Sequence, residues 1–212
     1  MSGPLKTLSN DLKNFTLPYY KLKELLRTGW VEKLQIENSE SVASHTLLMI
    51  VIVLFIATKY SFSCEKKLKL IEMALIHDLA ESIVGDITPE SISYNEKRQI
   101  EDNAFKLIME KLPQSKLKLE LSRIWKEYNE NKSFDSKLVH IIDKLEMMLQ
   151  ADFYHKYRKN VERSNINPFK KSVSLFVREN TDYFKVRMNS KTMSTEDKEL
   201  NEIKEILAYL CK

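Results

Sequence analysis

The chain has 212 residues, of which only 3 are Gly and 5 are Pro, about 4% together against an average near 12%. Gly3, Gly29 and Gly85 stand far apart, which excludes a phosphate-cradling P-loop or a dinucleotide fingerprint and leaves a sandwich of short strands without turn residues. The net charge of +4, from 34 basic and 30 acidic side chains, is too small a bias to argue for nucleic-acid binding, and 43% hydrophobic content belongs to a globular chain.

Leu5, Leu8, Leu12 and Phe15 recur at near-helical spacing and predict a short first helix ending before Pro18; Leu22, Leu25 and Leu26 predict a second. Arg27-Thr28-Gly29-Trp30-Val31 breaks that pattern, and polar residues to Ser41 predict a loop of about a dozen residues. From Ser41 to Lys59 the chain is apolar all round, which predicts a central helix with His45 in its first turns. The next helix is predicted from Glu65 to Ile83, stopped by Gly85 and carrying His77, Asp78 and Glu81 near its end. A loop from Pro89 to Ser93 leads to helices over Glu96 to Leu112, Leu117 to Asn129 and Ser136 to Tyr157. The last of these places Asp143 among Leu138, Ile142, Leu145, Met148 and Leu149. A looser stretch from Arg158 to Asn167 precedes two amphipathic helices near Phe169 to Val186 and Thr195 to Leu210. The expectation is an all-α bundle in one domain, residues 1–212, with a core over about 20–160 and a C-terminal helical extension over about 165–212.

Cys64 and Cys211 form no CxxC pair, so a reducing compartment is expected, cytoplasmic or also nuclear. No apolar leader opens the chain, and the run Leu47 to Ala57 is about half of the ~20 residues that span a bilayer, so no membrane segment is expected.

Asp78 sits in the apolar run Ala74 to Ala80, and a buried carboxylate needs a counter-charge. Glu81 follows at i+3 and lies near it on a helix. Taken alone, a His-Asp dipeptide reads as a core histidine paired with Asp78 or a backbone carbonyl. Two other helices, however, carry a lone polar residue in apolar sequence: His45, and Asp143 in Val139 to Asp143. Two histidines and two aspartates on three helices make a nitrogen and oxygen set suited to a divalent ion with positions left for water or substrate. Mn, Co, Fe, Zn and Mg all fit such a set.

His45, His77-Asp78 and Asp143, in that order, resemble the signature of the HD-domain metal-dependent phosphohydrolases. Arg27 to Val31, Glu40 to His45, His77 to Ile87 with Pro89, and Asp143 to Ala151 are similar, more narrowly, to the family of HD domain-containing protein 2, the eukaryotic counterpart of bacterial 5'-deoxynucleotidases. The resemblance covers about residues 20 to 160. It implies an HD-domain helical bundle, metal-dependent hydrolysis of deoxyribonucleoside 5'-monophosphates, and a homodimer. Its metal-ligand positions fall on His45, His77, Asp78 and Asp143. Glu81 takes the catalytic acidic position or binds a further cation, and Asp86 with the Ile87 carbonyl contacts sugar or a further cation. Arg27 takes the phosphate position, where its planar fork can hold two oxygens. Trp30 takes a sugar-facing, substrate-binding position; read from the residues alone it is a loop-anchoring aromatic. His140, one turn before Asp143, reads as a partly buried helix histidine ahead of a group supporting the ligands, and Glu96-Lys97, a pair that the eukaryotic branch also carries, is explained equally well as a solvated helix face.

Two rivals follow from the same residues. One is an HD phosphohydrolase acting on a cyclic nucleotide or a nucleoside triphosphate; the other is a non-catalytic helical module that keeps a metal for stability.

Overall fold

The structure, a computed structural model, describes residues 3–88, 91–179 and 195–211. Among these the chain is helical: α1 (Gly3–Glu24), α2 (Thr28–Leu34), α3 (Val42–Lys59), α4 (Cys64–Ile76), α5 (Glu81–Val84), α6 (Tyr94–Glu110), α7 (Lys116–Glu130), α8 (Phe134–Tyr157), α9 (Asn167–Glu179) and α10 (Thr195–Leu210). Pro89 and the 180–186 end of one predicted helix lie outside the described residues.

Serines start five of these helices. Ser41, Ser63, Ser93, Ser115 and Ser133 are the N-caps of α3, α4, α6, α7 and α8, each side chain accepting the backbone N–H three residues on. Glu96 closes a reciprocal capping box with Ser93. This signal fixes the helix starts more sharply than hydrophobic spacing does.

Three expectations change. Pro18 does not end the first helix; α1 runs through it. A proline inside a helix costs about 3 kcal/mol, but Pro18 and Leu22 are buried on a helix that packs against α3 and α5, and that packing offsets the lost bond. The long loop before Ser41 contains α2, closed by Gln35 in the left-handed region. The predicted helix to Ile83 breaks at its chemically interesting end. After Ile76 the backbone bonds run from Leu79 to Ile76, Glu81 to Asp78 and Ser82 to Leu79, three residues apart, so the chain tightens through His77-Asp78 before α5. Gly85, at φ 83°, stops α5 as expected.

The central helix α3 packs against α4, α8 and α1. It buries Val42, His45, Met49, Val53 and Ala57 on one face. Its other face is exposed: Leu47 is 64% accessible, Val51 50%, Leu54 41% and Phe55 69%. By length and composition α3 could cross a membrane, but it is half embedded in the bundle and holds a polar cluster. The helices α9 and α10 pack on α8 and on each other, burying Val173, Leu200, Ile203 and Leu207.

Candidate functional site

Two short connections bring the site together. The backbone N–H of Arg27 donates to Glu40 O and that of Val42 to Leu25 O, an isolated antiparallel bridge that pins the start of α2 beside the start of α3. Ser41 then caps α3, and His45 enters the core one turn later. From the other side, the tightened turn after α4 presents His77 and Asp78, and α8 presents Asp143.

The four expected ligands converge. His45 Nε2 lies 3.3 Å from Asp143 Oδ1 and 3.8 Å from Asp78 Oδ2; His77 Nε2 lies 2.9 Å from the same Asp78 oxygen. One donor atom each from His45, His77 and Asp143 fall within 4.8 Å of one another. Both imidazoles are buried, and both have the other ring nitrogen occupied. His77 Nδ1 donates to Ala74 O at 2.7 Å, and His45 Nδ1 donates to the Glu146 carboxylate. A ring nitrogen that donates carries the proton, so each Nε2 keeps its lone pair. Neither Nε2 has a hydrogen-bond partner among the described residues. Two buried lone pairs facing two carboxylates repel unless a cation stands between them, so these residues fit a divalent metal.

The charges around the cluster follow the same logic. Burial raises the Asp78 carboxyl, but His77, Arg27 and His45 more than reverse it and hold it below the usual range. Burial likewise opposes the ionised Asp143, and Lys144, at 2.8 Å, with His45 and Arg27 hold it well below. Burial and the Arg27 charge work against a charged His45, while the Asp143 and Glu146 carboxylates on either side of the ring outweigh them and raise its imidazole to about 9. A cation is therefore favoured at this position, as a proton or as a metal.

Arg27 Nη1 donates to Asp78 Oδ2 at 3.3 Å, which sets the guanidinium at the rim of the cluster. Glu81 is 3% exposed; burial first, then the charges of Asp78 and Asp86, raise its carboxyl well above the usual range. Its Oε2 has no hydrogen-bond partner among the described residues, and its Oε1 lies 3.7 Å from Lys97 Nζ.

Trp30 and Asp86 both have partners within the protein. Trp30 is 2% exposed, stacks on Phe169 at 4.2 Å and donates its indole N–H to Glu40 at 2.7 Å. It anchors α2 to α9 and α8, and Gly29 beside it is where a Cβ would meet the Phe169 ring at 3.4 Å. Asp86 is turned to Thr28, whose backbone N–H donates to its Oδ2 and whose hydroxyl donates to its main-chain oxygen. The Ile87 carbonyl accepts from Lys97 Nζ at 2.8 Å.

Lys97 is thus no solvated lysine: α6 aims it at Glu81, Glu101 and Ile87. Nothing local in the sequence marks it, because the contact depends on how α6 packs on α5. Glu146 carried a readable signal, a carboxylate in the apolar run Leu145 to Met148 one turn after Asp143. His140 donates to Tyr128 O and stacks on the Tyr128 ring at 4.1 Å; burial pulls its pKa down to about 4 and keeps it neutral.

A helical bundle that draws a histidine from α3, a His-Asp pair from the turn after α4 and an aspartate from α8 to one point is the architecture of an HD domain. The family model described as HD domain matches residues 19–184, and the chain belongs to the HD-domain family. A Bos taurus protein named 5'-deoxynucleotidase HDDC2 is 35% identical over 158 residues, covering 72% of this chain and 74% of that protein. The Dictyostelium discoideum protein of the same name is 39% identical over 160 residues, 73% of this chain and 83% of its own. Among solved structures, the PH0347 protein of Pyrococcus horikoshii superposes with a TM-score of 0.65 at 27% identity, covering 94% of this chain and 99% of that one.

Proposed function

We propose that the chain is a metal-dependent 5'-deoxynucleotidase that hydrolyses deoxyribonucleoside 5'-monophosphates to the deoxynucleoside and phosphate. The observation that carries this is the pair of buried, unpartnered Nε2 atoms of His45 and His77 facing Asp78 and Asp143, in a chain whose relatives bear that name.

His45, His77, Asp78 and Asp143 would hold a divalent ion, which would supply charge to offset the phosphoryl oxygens and would lower the pKa of water near neutral pH. Arg27 binds the phosphate, its fork matched to two oxygens and its position fixed by Asp78 and by the bridge at Leu26. Glu81 keeps Oε2 free of hydrogen bonds, and with its raised pKa it passes a proton to the 5' oxygen as the P–O bond breaks. Asp86 holds Thr28, and through it Arg27. Among Mn, Co, Fe, Zn and Mg, the two nitrogen donors favour the transition metals over Mg.

The exposed apolar stripe of α3, Leu47, Val51, Leu54 and Phe55, is the face by which two copies pair as a homodimer. The cysteines fit the cytoplasm or nucleus.

Phosphate release from matched ribo- and deoxyribonucleoside monophosphates, with the metal removed and restored, tests the activity. Release from the deoxy series that needs metal and is lost in Asp78→Ala supports it. Pyrophosphate or triphosphate release from nucleoside triphosphates instead, or unchanged phosphate release by a folded, metal-free Asp78→Ala, overturns it.

A further inference from the structure

We infer that Glu146 is a positioning residue for the metal site, holding His45 from behind so that its Nε2 faces the ligand cluster. The inference rests on the metal-site reading above and adds to it a residue that touches neither metal nor substrate.

Glu146 and His45 both have side chains with no solvent exposure, and they are joined by the contact between Glu146 Oε2 and His45 Nδ1. The second carboxylate oxygen, Oε1, is buried with no hydrogen-bond partner among the described residues. A buried charge with half its hydrogen bonding unmet costs stability. Its neighbours Leu145, Met147 and Met148 are all buried apolar side chains, so packing alone calls for another such residue at this position. A carboxylate placed there at that cost answers to something other than packing.

His45 supplies the reason. A neutral imidazole carries its proton on either nitrogen, and only the bare nitrogen can bind a metal. A carboxylate behind Nδ1 holds the proton there and also makes Nε2 a stronger donor. Glu146 lies three residues after Asp143, so one turn of α8 presents both a ligand and the group that orients a second ligand. His77 meets the same need with the neutral carbonyl of Ala74 at 2.7 Å. The two histidines are therefore backed unequally, one by a charge and one by a dipole. The Glu40 carboxyl, whose Oε1 accepts from Trp30, also comes within 4.8 Å of His45 and Glu146.

The test is the affinity of the full chain for Mn²⁺, measured by titration after stripping with chelator, in wild type, Glu146→Gln, Glu146→Leu and Leu138→Ala. Glu146→Gln keeps the size and an acceptor for Nδ1 but loses the charge; Glu146→Leu loses both. Both are expected to bind Mn²⁺ more weakly, by about 10- to 100-fold for Glu146→Leu and by less for Glu146→Gln. Leu138 is fully buried on the same helix and offers no metal-binding atom; Leu138→Ala is expected to lower the melting temperature and leave Mn²⁺ affinity unchanged. Wild-type affinity in Glu146→Gln overturns the inference, as does an equal loss in Leu138→Ala. If Glu146→Leu fails to fold, the isosteric Glu146→Gln decides. If wild type itself binds no Mn²⁺ and His77→Ala changes nothing, the metal-site reading fails and this inference with it.

Discussion

Thr28 gives two hydrogen bonds to Asp86, 58 residues away: its backbone N–H reaches Oδ2 at 2.6 Å and its hydroxyl reaches the main-chain oxygen at 2.7 Å. Thr28 opens α2 directly after Arg27, and the Arg27 side chain makes no cap. Asp86 therefore caps that helix from a distant turn. Asp86→Ala is expected to cost about 1 kcal/mol or slightly more, the usual price of a lost cap. It also frees Arg27, so KM for the deoxynucleotide rises several-fold while Mn²⁺ affinity stays at the wild-type value. Steady-state kinetics beside metal titration check this; a large loss of metal affinity would instead make Asp86 a cation ligand.

Lys97 Nζ lies 3.7 Å from Glu81 Oε1, and its charge, after that of Arg27, pulls the Glu81 pKa down against burial. In Lys97→Met that share of the opposition is gone, so the Glu81 pKa moves higher. The limb of the kcat/KM profile that reports Glu81 then shifts to higher pH, and kcat falls by about tenfold. Lys97→Arg keeps the charge and is expected to restore most of the rate. A pH-rate profile across the three proteins separates this from simple destabilisation.

Glu40 is raised to about 7 by burial first and then by the Glu146 charge. A carboxyl whose folded pKa lies above its unfolded value contributes stability that is complete below the unfolded pKa and is lost as pH rises through the folded one. Glu40→Gln keeps an acceptor for the Trp30 N–H and removes the titration. Its melting temperature is expected to match wild type near pH 5 and to exceed it by a few degrees near pH 8. Thermal melts at several pH values read the difference directly.

Phe55 and Leu47 stand two turns apart on the exposed face of α3, 69% and 64% accessible. In a two-fold pair each substitution is felt twice. Phe55→Glu is expected to weaken self-association by about a hundredfold or more. Sedimentation analysis of wild type and variant checks it; an unchanged dimer places the interface elsewhere.

The sequence alone determined most of the helices, because apolar spacing is a local property of the chain, but not α2, the run of α1 through Pro18 or the tightened turn at His77. It also singled out His45, His77, Asp78 and Asp143, since a charged or ligand-type residue inside an apolar run is costly wherever the helix ends up. What only the tertiary structure decided is which side chains these residues meet. The burial of Trp30 depends on Phe169 from α9, and the occupation of Asp86 depends on Thr28. Lys97 and Glu146 enter the site through the packing of α6 on α5 and α8 on α3. Those partners are tens of residues or more apart in several cases, and periodicity carries no information about which helix face will meet which. The exposed stripe of α3 shows the same limit: composition predicted a buried helix, but the bundle covers only one of its faces.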